Sequence, residues 1–193
     1  MKKFLSMLAV GLLSVNVAGA EEISEPEKVF EDANEIQFEY LEGRRFSQRN
    51  VNNYNVHFFE KVTDSGAMSY WRGLTFTRAL GYTNPRKDGG VHHDSQGVGI
   101  GPAFMLRWDK QASGKLHASL DFSGSLMFYN KAHPYDGRAY GFLWRLGPRL
   151  TWQAEEDDSF SLGYSISHFS NGLRSHNPGY NTIGFSVGYT HNF

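Results

Sequence analysis

The sequence contains no cysteine and only six prolines in 193 residues. No disulfide can staple the fold, which excludes the small cystine-rich secreted scaffolds. Neither charge is in excess, since 19 Lys and Arg stand against 20 Asp and Glu, and a domain so balanced is no electrostatic match for nucleic acid. After the first twenty residues, no apolar run approaches the ~18–20 residues that a membrane-crossing helix requires. Phosphate-cradling glycine motifs, zinc-ligand spacings and heptads are missing as well, so no cofactor or metal is expected.

What is present begins with an address. Lys2 and Lys3 precede the apolar stretch Phe4 to Val17, and Ala18-Gly19-Ala20 has the small residues of a cleavage site. Residues 1–20 are therefore expected to be a secretory signal peptide. The acidic, Pro26-containing segment 21–35 is expected as an exposed periplasmic leader, and 36–193 as one barrel domain. Without Lys2 and Lys3 the chain carries 17 basic and 20 acidic residues, a formal charge of −3.

The chain has 15 Phe, 10 Tyr and 21 Gly, and its apolar residues recur with a period of two. Ile183, Phe185, Val187, Tyr189 and Phe193 alternate with Gly184, Ser186, Gly188, Thr190 and Asn192. That is the pattern of a strand with one apolar and one polar face. Eight segments qualify: Ile36–Glu42, Tyr54–Val62, Ser69–Leu80, Gly97–Trp108, Lys115–Tyr129, Arg138–Trp152, Ser159–Ser170 and Asn181–Phe193. The third alternates least cleanly, because Arg72 and Arg78 share a face with Tyr70, Leu74 and Phe76.

Charge decides which face is inside. Between Tyr140 and Trp152, Arg145 and Arg149 oppose a row of Tyr, Phe, Trp and Leu. An apolar core would not accept two unpaired guanidinium groups, whereas a polar lumen containing Glu39, His117 and Asp121 pairs them. The fold class is accordingly all-β, an eight-stranded antiparallel transmembrane barrel of the outer-membrane type, with apolar residues toward lipid.

With the amino terminus in the periplasm, the turns Thr63–Met68, Asp109–Gly114 and Ala154–Asp158 are short and the alternate, extracellular loops longer, as such barrels require. The long loops carry Arg44, Arg45, Arg49, Arg86, Lys87, Lys131, Arg138 and Arg174, and the short turns carry Asp64, Asp109, Glu155, Glu156, Asp157 and Asp158. Guanidinium groups at the outer rim suit phosphorylated head groups of lipid A. Each loop arginine taken singly is as well explained by hydration, and the contrast between the two ends is what carries weight.

His168 and Ser170 continue the apolar parity of Phe160, Leu162, Tyr164 and Ile166. Two residues apart on a strand, they point the same way with Cα atoms about 6.5–7 Å apart. Polar groups facing lipid are expensive. An imidazole beside a hydroxyl is also the arrangement in which a base activates a nucleophile for attack on an ester. Hydrogen bonding among head groups is the plainer alternative for this pair.

The run His168-Phe169-Ser170-Asn171-Gly172-Leu173, in the penultimate strand and about twenty residues from an aromatic carboxyl terminus, resembles the PagL family of lipid A 3-O-deacylases. The resemblance implies that His168 is the base and Ser170 the nucleophile on the lipid-facing surface. It also implies that Asn171 and Gly172 contribute oxyanion donors, the latter by a less secure match because the chain is one residue shorter there. The family's glutamate at the start of the last strand is replaced by Asn181. An asparagine carbonyl orients an imidazole but supplies no negative charge to stabilise imidazolium.

The expected activity is therefore a serine esterase removing an ester-linked 3-hydroxyacyl chain of lipopolysaccharide in the outer leaflet of the cell outer membrane. Two non-enzymatic alternatives stand beside it: a structural or sensory barrel that has lost the glutamate, and a narrow channel, which eight strands leave little room for. His92-His93-Asp94 invites a metal reading, but adjacent residues of an extended chain point in opposite directions and none is assigned.

Overall fold

In the computed structural model, residues 32–43, 49–85, 88–172 and 177–193 are described; the expected signal peptide lies outside them. Alternation of polar and apolar side chains becomes nine strands: β1 Ala33–Glu42, β2 Arg49–Ser65, β3 Met68–Thr83, β4 His93–Asp94, β5 Gly97–Ser113, β6 Leu116–His133, β7 Arg138–Gln153, β8 Asp158–Ser170 and β9 Tyr180–Asn192. Each long strand is antiparallel to its neighbours in the order β2-β1-β9-β8-β7-β6-β5-β3, and β2 pairs with β3 to close the ring. The short β4 extends the outer end of β3. The result is the expected eight-stranded barrel.

Closure is staggered. Following opposed residues from Asn34 through Glu60, Arg72, Phe104, Gly124, Trp144 and His168 leads to Asn181 on β9, whereas the direct partner of Asn34 on that strand is His191, ten residues away. A shear of this size tilts the strands by roughly 40°. The outer wall is apolar, with Leu162, Ile166, Phe185 and Val187 more than half exposed. Toward the short turns it is ringed by Tyr70, Trp108, Trp152, Phe160 and Tyr189, the aromatic girdle of a membrane interface.

The lumen is filled. Glu35 lies 2.7 Å from Arg107, and Asp121 accepts from Arg107 at 2.9 Å and from Arg149 at 2.7 Å. Farther along, Arg145 donates to Nε2 of His57 at 2.6 Å and lies 3.3 Å from Glu39. Above these charges, Val51, Met127, Tyr129, Leu143, Phe169 and Tyr180 form a buried apolar plug at the outer mouth. The cavity left beside Glu39, Asp121, Arg145 and Arg149 measures about 20 Å³, room for a single water, so the interior described is packed and not a channel.

Three expectations need correction. β1 begins at Ala33, not Ile36, because Glu35 belongs to the lumen, where Arg107 holds it, and not to a periplasmic leader. His117 does not pair with the lumen arginines; it lies near the short-turn end, 3.8 Å from Asp109, and His57 takes the place expected for it. The turns are also tighter than expected: Gly66-Ala67 and Gly114-Lys115 join strands that run on past the anticipated boundaries.

Candidate active site

β8 carries the site. Its alternation puts Ser167 and Phe169 in the lumen, both buried, and so turns His168 and Ser170 to the outer wall near the long-loop end. On β9, Asn181 is directly opposed to His168, and it is in phase with exposed Phe185 and Val187. The two side chains meet: Nδ1 of His168 is 2.6 Å from Oδ1 of Asn181. A carbonyl oxygen only accepts, so Nδ1 carries the proton and Nε2 keeps its lone pair. Among the described residues His168 makes no hydrogen bond to Ser170; such bonds are commonly long before substrate binds.

The other two expected positions behave differently. Asn171 is 1% exposed, and its amide donates to the carbonyl of Tyr140 at 2.8 Å and that of His133 at 3.2 Å. Its backbone N–H donates to Oδ1 of Asn177 at 3.1 Å. All three of its donors are thus engaged in tying the end of β8 to neighbouring loops. Gly172 follows with φ +50° and sits against the ring of Phe142, a left-handed conformation that favours glycine. Asn177 also accepts from Gly179 N–H at 3.1 Å, so its carbonyl is occupied and does not compete with Asn181 for His168.

Sequence reasoning missed the surface beside the histidine. The partner of His168 on β7 is Trp144 and that of Ser170 is Phe142. Trp144 stacks on Phe122 at 5.8 Å and takes the edge of Phe104 at 6.0 Å. Gly124 leaves room for this, because a Cβ there would stand 2.7 Å from both Phe104 and Trp144. A smooth aromatic shelf therefore runs from Ser170 down the lipid-facing wall. The signal was available in the alternation of β5, β6 and β7, but neighbourhood across strands is set by register.

Of the expected basic rim, Arg49 and Arg138 begin strands and Lys131 lies two residues before the end of β6, all at the same end as His168; Arg44, Arg45, Arg86, Lys87 and Arg174 lie outside the described residues. Lys131 is held by Asp94 at 2.7 Å. The His92-His93-Asp94 run diverges: His92 stacks on Tyr82 at 4.0 Å and His93 on Tyr135 at 3.8 Å.

Comparison with known proteins agrees with this architecture. A crystal structure of the outer membrane enzyme PagL superposes with a TM-score of 0.51 at 15% identity, covering 82% of this chain and 99% of that one. A crystal structure of Neisserial surface protein A (NspA) does so with the same TM-score at 10% identity, covering 84% and 96%. Both are outer-membrane barrels, and that is where this chain resides. No curated relative matches by sequence. The family model for PagL, lipid A 3-O-deacylase, matches residues 52–190, well over half of the chain and every strand from β2 to β9, so the chain belongs to the PagL lipid A 3-O-deacylase family.

Proposed function

We propose that this barrel hydrolyses an ester-linked 3-hydroxyacyl chain of lipid A in the outer leaflet, with Ser170 as nucleophile and His168 as general base. The observation that carries the reading is the 2.6 Å contact of His168 Nδ1 with Asn181 on the lipid-facing wall. It fixes the tautomer in which Nε2 is free to take the Ser170 proton. Attack of Oγ on the ester carbonyl gives an acyl-enzyme and frees the sugar hydroxyl, to which His168 returns the proton. Water, activated by the same imidazole, then releases the fatty acid.

Asn181 orients the imidazole without adding negative charge. Oxyanion stabilisation falls to the backbone N–H of Gly172, since the Asn171 amide is spent on two carbonyls and its backbone N–H on Asn177. The shelf of Phe142, Trp144, Phe122 and Phe104 is where the acyl chain lies, and Arg49 and Arg138 meet the head-group phosphates. The same engaged Asn171, with the missing carboxylate, favours a second reading in which the barrel is structural and inactive.

One experiment separates the two. Lipid A from cells expressing the chain, analysed by mass spectrometry, loses one 3-hydroxyacyl group relative to cells expressing Ser170→Ala. Identical spectra from folded wild type and Ser170→Ala end the enzymatic reading.

A further inference from the structure

A second polar feature lies on the outer wall, at the end opposite the His168 site. His191 is opposed to Asn34, Asn34 to Glu60 and Glu60 to Arg72, so four polar side chains form a stripe across β9, β1, β2 and β3. The next row, Tyr189, Ile36, Phe58 and Leu74, is apolar. Both rows line one outward concavity of about 680 Å³.

At its centre Nε of Arg72 donates to Glu60 at 2.9 Å, and the two side chains are 64% and 56% exposed. Tyr70 of the inner aromatic girdle is two residues nearer the turn, which puts the ion pair about 5 Å farther into the bilayer than the girdle. An exposed pair stabilises a fold by at most about 1 kcal/mol. Charged groups facing hydrocarbon are costly unless something covers them. Arg72 is opposed to Phe104 at the far end of the aromatic shelf, but among the described residues the pair makes no hydrogen bond to the lumen network or to His168, so neither the lumen nor the catalytic pair explains its charges.

Charge complementarity identifies what covers it. The terminal guanidinium nitrogens of Arg72 make no hydrogen bond among the described residues, and they present the fork that binds phosphate oxygens. Glu60, one strand away, offers a carboxylate to a cation at the short separation that a two-carbon linker spans. Ile36, Phe58 and Leu74, directly above, supply an acyl-chain surface. We propose that this groove binds a phospholipid of the inner leaflet whose head group joins a phosphate to a primary ammonium, with the phosphate on Arg72 and the ammonium on Glu60.

The full chain, purified in detergent and offered phosphatidylethanolamine, phosphatidylglycerol and phosphatidylcholine with matched acyl chains, tests this by native mass spectrometry. One phosphatidylethanolamine per barrel is expected, at least tenfold more abundant than either competitor. Glu60→Gln and Arg72→Gln should each reduce it about tenfold, while Ser170→Ala keeps it. Equal retention of the three lipids, or an adduct that survives both substitutions, overturns the proposal. So does a dimer that these substitutions dissociate, because a second copy would then occupy the groove. If either variant loses heat-modifiable migration, discrimination by the wild type between the primary and the trimethylated ammonium decides alone. Deacylation by Glu60→Gln and Arg72→Gln should match wild type, so failure of this site and failure of the catalytic reading are separable.

Discussion

The lumen and the outer wall use the same residue types to opposite ends. Inside, Glu35, Arg107, Asp121 and Arg149 are nearly or fully buried and held by one another at 2.7 to 3.8 Å. Outside, His168 has a single hydrogen-bond partner among the described residues, Asn181. A buried ion that is fully paired is structural, because each oxygen or N–H is already spent and its removal leaves an uncompensated charge. A polar group on a lipid-facing surface with an unspent lone pair is costly to the fold and open to a ligand or a substrate. Histidine shows the contrast best: His57 in the lumen has both ring nitrogens occupied, Nδ1 by Thr75 and Nε2 by Arg145, whereas among the described residues His168 keeps Nε2.

The sharpest way to break this comparison is Ser170→Ala. Deacylation should fall by about three orders of magnitude or more, with heat-modifiable migration on gels unchanged; a variant retaining a tenth of wild-type turnover would show that another nucleophile acts. The converse change is Glu35→Gln in the lumen. It leaves Arg107 and Arg149 short of a charge and should lower stability by about 3–5 kcal/mol, read as an earlier midpoint in urea, while turnover per folded barrel stays at the wild-type level. Loss of turnover in the folded fraction would erase the distinction between the two regions.

A smaller effect is expected at the orienting residue. Asn181→Ala should reduce turnover about 10- to 100-fold, because Ser170 and the backbone donor remain. Asn181→Glu restores a carboxylate and should equal or exceed wild type. Since a carboxylate favours the protonated imidazole, the rising limb of the pH–rate profile should move to higher pH. An unmoved profile together with an active Asn181→Ala would remove residue 181 from the site.

The smallest effect concerns the outer loops. The hydrogen bond from Lys131 holds the Asp94 carboxyl below its ordinary value of 3.8. A depressed carboxyl contributes stability above its unfolded value and loses it as the pH falls through the folded one. Amide protection around β4 should therefore be flat from neutrality down to that ordinary value and fall only below it. Lys131→Met should abolish this acid-dependent step, as hydrogen exchange would reveal, without altering the strands below.

Much of this was legible in the sequence because a period of two has only one geometric meaning. Arg145 and Arg149 opposite Trp144 and Leu150 are enough to turn the barrel inside out, and the same parity puts His168 and Ser170 outside. The replacement of a carboxylate by Asn181 is visible as soon as the motif is aligned on the chain. His57 was missed, and His117 chosen in its place, because parity tells inside from outside but says nothing of height.

Strand number, facing and the candidate nucleophile and base are thus properties of the sequence alone, since alternation along one strand is a local fact. What only the tertiary structure decided is what depends on contacts across several strands and loops: that Asn177 turns to Asn171 and Gly179, that Asn171 is tied to His133 and Tyr140, and that Trp144 flanks the histidine. The polar stripe from His191 to Arg72 belongs to the same class. These residues are far apart in sequence, and a stagger of ten residues around the ring is set by closure of the whole sheet, a condition that no single segment contains.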